Sequence, residues 1–173
     1  PRQDFEELAA GLEAAIVSFS HVQRDSGALT SLVARVVGRA AALAWVAFRR
    51  KGSFYFTTAE NTGMVLAFLL KFRPGATHVM IGHRISVGKK RWFFRWLRLF
   101  RHIDAMICYS RKQEAFARDR LQVSAEKVHA IHFQVDNRFY TPGNTKVGRT
   151  IVSVGRELRD YPTLFAAVEG LDI

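Results

Sequence analysis

The chain of 173 residues has a single cysteine, Cys108. One cysteine closes no internal disulfide, and no Cys/His spacing in the sequence reads as a zinc site. This usage fits a reducing compartment. Acidic residues are few: 15 Asp and Glu stand against 26 Lys and Arg, a formal net charge of +11 with a pI near 10.5. Such a balance points to an anionic partner: a phosphorylated ligand, an acidic membrane or a nucleic acid. A long uncharged apolar run is missing. Residues 28–48 come nearest but carry Arg35 and Arg39 in their middle, whereas a spanning helix needs about 20 mostly apolar residues. Residues 1–8 show neither the basic nor the apolar region of a secretory signal. Gly-x-Gly-x-x-Gly and Walker A loops are absent, and so are internal repeats and low-complexity tracts.

What is present suits a packed α/β core. Hydrophobic residues make up 49% and charged residues 24%, which argues against wholesale disorder. The length fits one domain with a piece of a second. Phe5, Leu8 and Leu12 give a short helix face. Apolar runs expected to be strands are Ala15–Ser20, Ser53–Thr57, His78–Ile81, Ile103–Tyr109 and Val128–Phe133. Between them, helical patterns run over Leu29–Arg50, Thr62–Phe72, Lys89–His102 and Arg111–Leu121. Strands alternating with helices mean βαβ units, so the sequence predicts a Rossmann-like parallel sheet with helices on both faces. Functional groups then belong at the C-terminal ends of the strands. A turn-rich linker, Thr141–Gly148, follows, then a strand Thr150–Val154 and a helix from about Tyr161 to Glu169. The expected organisation is a domain over 1–140 that lacks its first strand, a linker over 141–149, and the truncated start of a second α/β domain over 150–173.

Four constellations could carry chemistry. His83, in Gly82-His83-Arg84, follows a strand and could act as a general base or bind a ligand. Thr57–Gly63 lies between a strand and a helix; Glu60 and Asn61 could contact a polar ligand, while Thr62 is the better N-cap. In the basic helix, Lys89, Lys90, Arg91, Arg95, Arg98 and His102 accompany Trp92 and Trp96. On a helical wheel Arg91, Arg95, Arg98 and His102 fall on one side, and Trp92, Trp96, Leu99 and Phe100 on the other. A basic face opposite an aromatic one marks a helix lying on an anionic membrane, although any surface helix also packs an apolar face on its sheet. Last, Gly155-Arg156 and Arg159 precede a helix, where glycine permits close approach and arginine forks bind phosphate oxygens.

Taken together, several segments resemble family-4 glycosyltransferases of the GT-B fold. Ile103-Asp104-Ala-Met-Ile-Cys-Tyr-Ser110 looks like that family's "aD-x-vi-x-x-S" strand, and Arg111–Val123 like the helix ending in an "lgv" turn. Lys127–Ile131 is similar to its "kv-x-vi" strand, and Val135-Asp136-Asn-Arg-Phe139-Tyr-Thr-Pro142 to its "vD-x-x-x-F-x-P" crossover. Ile151-Val-Ser-Val-Gly155-Arg156 resembles the first strand of the second domain, and Ala166–Gly170 its first helix. The resemblance covers 104–169; residues 1–103 share only the layout, with His83 where members carry an active-site histidine.

The resemblance implies retaining transfer of a sugar from a nucleotide-diphosphate donor to an acceptor glycan or lipid-linked sugar. No metal and no other cofactor is expected. Arg156 and Arg159, beside Gly155, would contact the donor diphosphate; His83 would be catalytic; Glu60, Asn61, Arg84 and Ser110 would lie on the acceptor side. The expected location is cytoplasmic, peripheral on the cytoplasmic face of the membrane. The family's paired glutamates that hold the donor sugar are absent, as is its glycine-rich first loop, and lysine usually stands, at longer spacing, where Arg159 is. A fragment of this kind should not turn over alone. The alternatives are a non-catalytic basic module binding a membrane surface or nucleic acid, and a GT-B-like epimerase or non-catalytic relative. Segregated arginines and aromatics favour the membrane over nucleic acid.

Overall fold

The computed structural model describes residues 4–25, 27–86, 90–132, 141, 143, 148, 150–153 and 160–172. The chain divides into two compact units, Pro1–Val135 and Asp136–Ile173. Four helices open the first unit: α1 (Asp4–Gly11), α2 (Phe19–Arg24), α3 (Ala28–Val36) and α4 (Arg39–Arg49). The expected strand Ala15–Ser20 is not one. Ser18 instead donates its backbone N–H to His21 Nδ1 (3.1 Å) and becomes the N-cap of α2. The expected single helix Leu29–Arg50 is a pair, α3 and α4, because Gly38 takes φ +114°, which a side-chain-bearing residue adopts only with strain.

Strand and helix then alternate: β1 (Phe54–Thr57), α5 (Glu60–Leu70), β2 (Thr77–Ile81), α6 (Lys90–Trp96), a 3₁₀ turn Leu99–His102, β3 (Ala105–Cys108), α7 (Arg111–Leu121), a 3₁₀ turn Ala125–Lys127 and β4 (Val128–Ala130). The four strands form one all-parallel sheet in the order β1-β2-β3-β4. This is a Rossmann-like α/β fold.

Burial alternates along the strands and separates two unequal faces. Tyr55, His78, Met80, Met106, Cys108 and Val128 share one face and are buried. Both hydrophobic clusters lie there: Met80, Met106 and Val128 pack with Phe94 of α6, Leu99 and Leu121 of α7, while Tyr55 packs with Ala44 of α4 and Leu66 and Leu70 of α5. On the other face Phe54 is 43% exposed, Phe56, Val79, Ala105 and Ile107 are half-buried, and only Ile81 is buried. Both clusters draw their helices, α4 to α7, to the first of these faces. When each strand is added beside its predecessor in the same direction, right-handed crossovers all fall on the same side.

Most polar groups inside this layer are matched; among the described residues the Trp45 indole N–H of α4 is buried without a partner. His78, fully buried on β2, donates from Nδ1 to the His102 carbonyl (3.3 Å), and its Nε2 accepts the Thr57 hydroxyl (3.0 Å). Its backbone N–H donates to Asp104 Oδ2 (2.8 Å), and the Asp104 N–H returns a bond to the His78 carbonyl (2.8 Å). This reciprocal pair sets where β3 starts against β2. Arg73 Nη1 donates to the Phe48 carbonyl (2.6 Å) and the Tyr55 hydroxyl (2.7 Å), tying α4 to β1. Its guanidinium also lies over the Phe48 ring, 4.0 Å from the centroid.

In the second unit the described helix is α8 (Tyr161–Val168), near the expected span. Asp160 caps it, accepting from the Thr163 backbone (3.2 Å) and hydroxyl (2.7 Å), and these bonds hold its carboxyl below the usual range. Of the expected strand Thr150–Val154, residues 150–153 take part in no strand pairing and Val154 lies outside the described residues.

Two predictions follow from the packing. A Cβ at Gly63 of α5 would lie 2.5 Å from Met80 Sδ and 2.7 Å from Thr57 Oγ1. Gly63→Ala should therefore lower the unfolding free energy by about 1–3 kcal/mol, read from the urea midpoint. Burial, chiefly, holds the His78 imidazole down to about 4 from 6.5. The unfolded chain takes up that proton near 6.5 and the folded chain only near 4. Stability is thus fully present above 6.5 and falls with pH toward 4, by roughly 3 kcal/mol from this group. Urea titrations over that range should show the slope, and His78→Gln should flatten it.

Candidate functional site at the strand C-terminal ends

A parallel sheet brings all four strand ends to one edge. There β1 runs into Thr58 and the start of α5, β2 into Gly82-His83-Arg84, β3 into Tyr109-Ser110 and β4 into Ile131-His132. Gly82 extends the ladder by one bond, its N–H to the Ile107 carbonyl (2.8 Å). His83 then leaves the sheet with its ring exposed. Its Nε2 donates to the Thr58 carbonyl (3.0 Å) and its backbone N–H donates to Glu60 Oε2 (3.3 Å). A carbonyl can only accept, so Nε2 carries the proton and the neutral ring keeps its lone pair on Nδ1. An imidazole held this way can accept a proton or hydrogen-bond a ligand hydroxyl.

Glu60 is 6% exposed and opens α5, where the helix dipole favours a carboxylate. It positions the His83 backbone. Thr62 was the expected N-cap; the N-cap is instead Ala59, three residues earlier, with no side-chain cap bond. Asn61 and Arg84 are exposed at the same edge.

The His83 ring lies 5.2 Å from the Tyr109 ring at 45°. Tyr109 also lines an adjoining cleft of about 300 Å³, together with Ser110, Arg111, Glu114, Ala130, Ile131 and His132. Ser110 has a structural duty there: its hydroxyl caps α7, accepting from the Lys112 N–H (3.2 Å). The structure thus joins His83 and Glu60 directly and Ser110 through Tyr109. Sequence reading passed over Tyr109, Arg111, Glu114 and His132 as cleft residues. Tyr109 and His132 could have been found by applying the strand-end rule to β3 and β4 as it was applied to β2. Gly155, Arg156, Arg159 and Lys89, and the side chain of Lys90, lie outside the described residues.

The basic helix departs from expectation. It ends at Trp96; Arg98 takes the left-handed conformation (φ 50°), and a 3₁₀ turn covers Leu99–His102. Phe94 and Leu99 both belong to the core at 1% exposure. Five residues apart on one helix they would point roughly 140° from each other; the break at Arg98 lets both face inward. Trp92, Phe93 and Trp96 then face out, at 60%, 50% and 65% exposure, as do Arg91, Arg95 and Arg98. Arginines and tryptophans therefore share the outer surface, and Leu99, expected on the same face as Trp92 and Trp96, is parted from them and buried.

No protein-family model, curated protein or solved structure matches the chain. Among the described residues no group of three or more His, Cys, Asp and Glu side chains could hold a metal ion, and no helix is long and apolar enough to cross a membrane.

Cys108 lies at the end of β3 just beneath the cleft, fully buried, and burial together with the Glu114 charge pushes its thiol up to about 11. At pH 8 iodoacetamide should leave it unmodified in the folded protein and alkylate it once urea unfolds the chain. Rapid labelling in native buffer would show that this end of the sheet opens.

Proposed function

We propose that the chain is the acceptor-side portion of a retaining sugar transferase of the GT-B kind, followed by the start of its nucleotide-sugar domain. The run of motifs from Asp104 to Glu169 supports this reading, and so does a Rossmann-like sheet beneath it. The observation that carries it is His83: at a strand C-terminal end, exposed, with its tautomer set by Thr58 and its backbone held by Glu60. In this reading Nδ1 meets a hydroxyl of the acceptor or of the transferred sugar. Arg156 and Arg159 neutralise the diphosphate as it departs, with Gly155 admitting it close to the backbone. The donor is a nucleotide-diphosphate sugar, and the acceptor a glycan or lipid-linked sugar. The enzyme works in the cytoplasm, at the cytoplasmic face of the membrane. A second reading, a non-catalytic basic module for a membrane surface or nucleic acid, is favoured by the outward aromatics and arginines of α6.

The test is made in a protein that joins this chain to a complete nucleotide-sugar domain. His83→Ala should lower the turnover of labelled sugar by about a hundredfold or more with donor affinity little changed. Arg156→Ala should weaken donor binding by about tenfold or more in calorimetry. A two-domain protein that binds no nucleotide sugar would sink the transferase reading, and undiminished turnover in His83→Ala would remove the role given to that residue.

A further inference from the structure

We infer that the outer surface of α6 and the turn after it docks on an anionic phospholipid bilayer, with Trp92, Phe93 and Trp96 entering the interface and Arg91, Arg95, Arg98 and Arg101 meeting the phosphates. The inference stands apart from sugar transfer and needs no catalytic residue. At about 100° per residue Trp92 and Trp96 lie opposite Phe94, the residue by which α6 enters the core. The two indoles therefore sit at the crest of the helix, stacked on each other (5.1 Å, 12°), with Phe93 edge-on to Trp92 (6.0 Å, 69°). Arg91 and Arg95 flank them on one side of the wheel, and Arg98 and Arg101 follow, all exposed. Indole rings partition to the bilayer interface, and arginine stems reach from there to the headgroups.

Charge singles out the same stretch. Residues 61–103 contain nine Lys and Arg and no Asp or Glu, 9 − 0 = +9 of the chain's net +11. The remaining 130 residues have 17 basic and 15 acidic side chains, a balance of only +2. The net positive charge is thus concentrated in the segment that carries the exposed aromatics, although Arg73 within it turns to Phe48 and Tyr55, and this excess matches an anionic surface. The bilayer is favoured over single-stranded nucleic acid by ring geometry. The stacked indoles leave a base only their outer faces, and Phe93 stands edge-on against Trp92, so the crest is an apolar knob suited to a bilayer interface more than a platform for a run of stacked bases.

The test uses the full 173-residue chain and two kinds of vesicle, phosphatidylcholine with and without phosphatidylglycerol. Co-sedimentation with the phosphatidylglycerol vesicles, weakened by salt, is expected, with a blue shift of tryptophan emission. The third tryptophan, Trp45 on α4, is half-buried and supplies a steady background. W92S/W96S and R91E/R95E should each lower the partition constant by about tenfold or more. These side chains are exposed, so circular dichroism melting should match the parent and exclude misfolding. Equal binding to both vesicle types, or parent-like binding by W92S/W96S, overturns the inference. So does binding of oligothymidylate in place of vesicles, or a dimer that W92S/W96S dissociates in protein that ignores vesicles.

Discussion

A parallel strand is reached from its neighbour only by a crossover, and with L-residues that crossover turns to the right. In a sheet ordered β1-β2-β3-β4 this one constraint sends every connection to the same side. The buried face of Met80, Met106 and Val128, the packing of α5 and α7 on it, and the half-exposed opposite face of Phe56, Val79 and Ile107 all follow from it. It also lines up the strand ends. Thr58, His83 and Tyr109 come from three separate strand exits, yet they meet because parallel strands finish on one edge. The same rule therefore builds both the core and the place where ligand chemistry would sit.

Much of this was legible in the residues. Short apolar runs of Phe, Ile, Val and Met between helical patterns mark β1 to β4 within a few residues, because short apolar runs bounded by turns and alternating with helical patterns mark the strands of βαβ units. The failures have local causes. Ala15–Ser20 is as apolar as the true strands, but the Ser18–His21 bond turns it into a helix start. Residues 29–50 read as one helix because a lone glycine is tolerated inside a helical pattern; only the positive φ of Gly38 shows the break.

The site was half legible for a related reason. A histidine directly after a strand draws notice, so His83 was within reach, and so was its neighbour Glu60. That Glu60 is buried and bonded to the His83 backbone is a tertiary fact. On α6 a continuous wheel assigns Trp92, Trp96 and Leu99 to one face. The left-handed turn at Arg98 divides that face, sending Leu99 inward and leaving the tryptophans outside. Arginine has no special liking for that backbone region, and nothing in the local sequence announces it. The turn exists because two bulky groups five residues apart are both drawn into the core.

The nearest-neighbour order of the strands also bears on how the chain comes to fold. Phe54 pairs with Thr77, Val79 with Ala105 and Met106 with Val128, so the loops closed are 23, 26 and 22 residues long. Closure entropy grows only with the logarithm of loop length, so the three steps cost nearly the same and no pairing waits on a distant partner. Each strand needs only the one made just before it. The sheet can therefore grow from its β1 edge in the order the residues leave the ribosome.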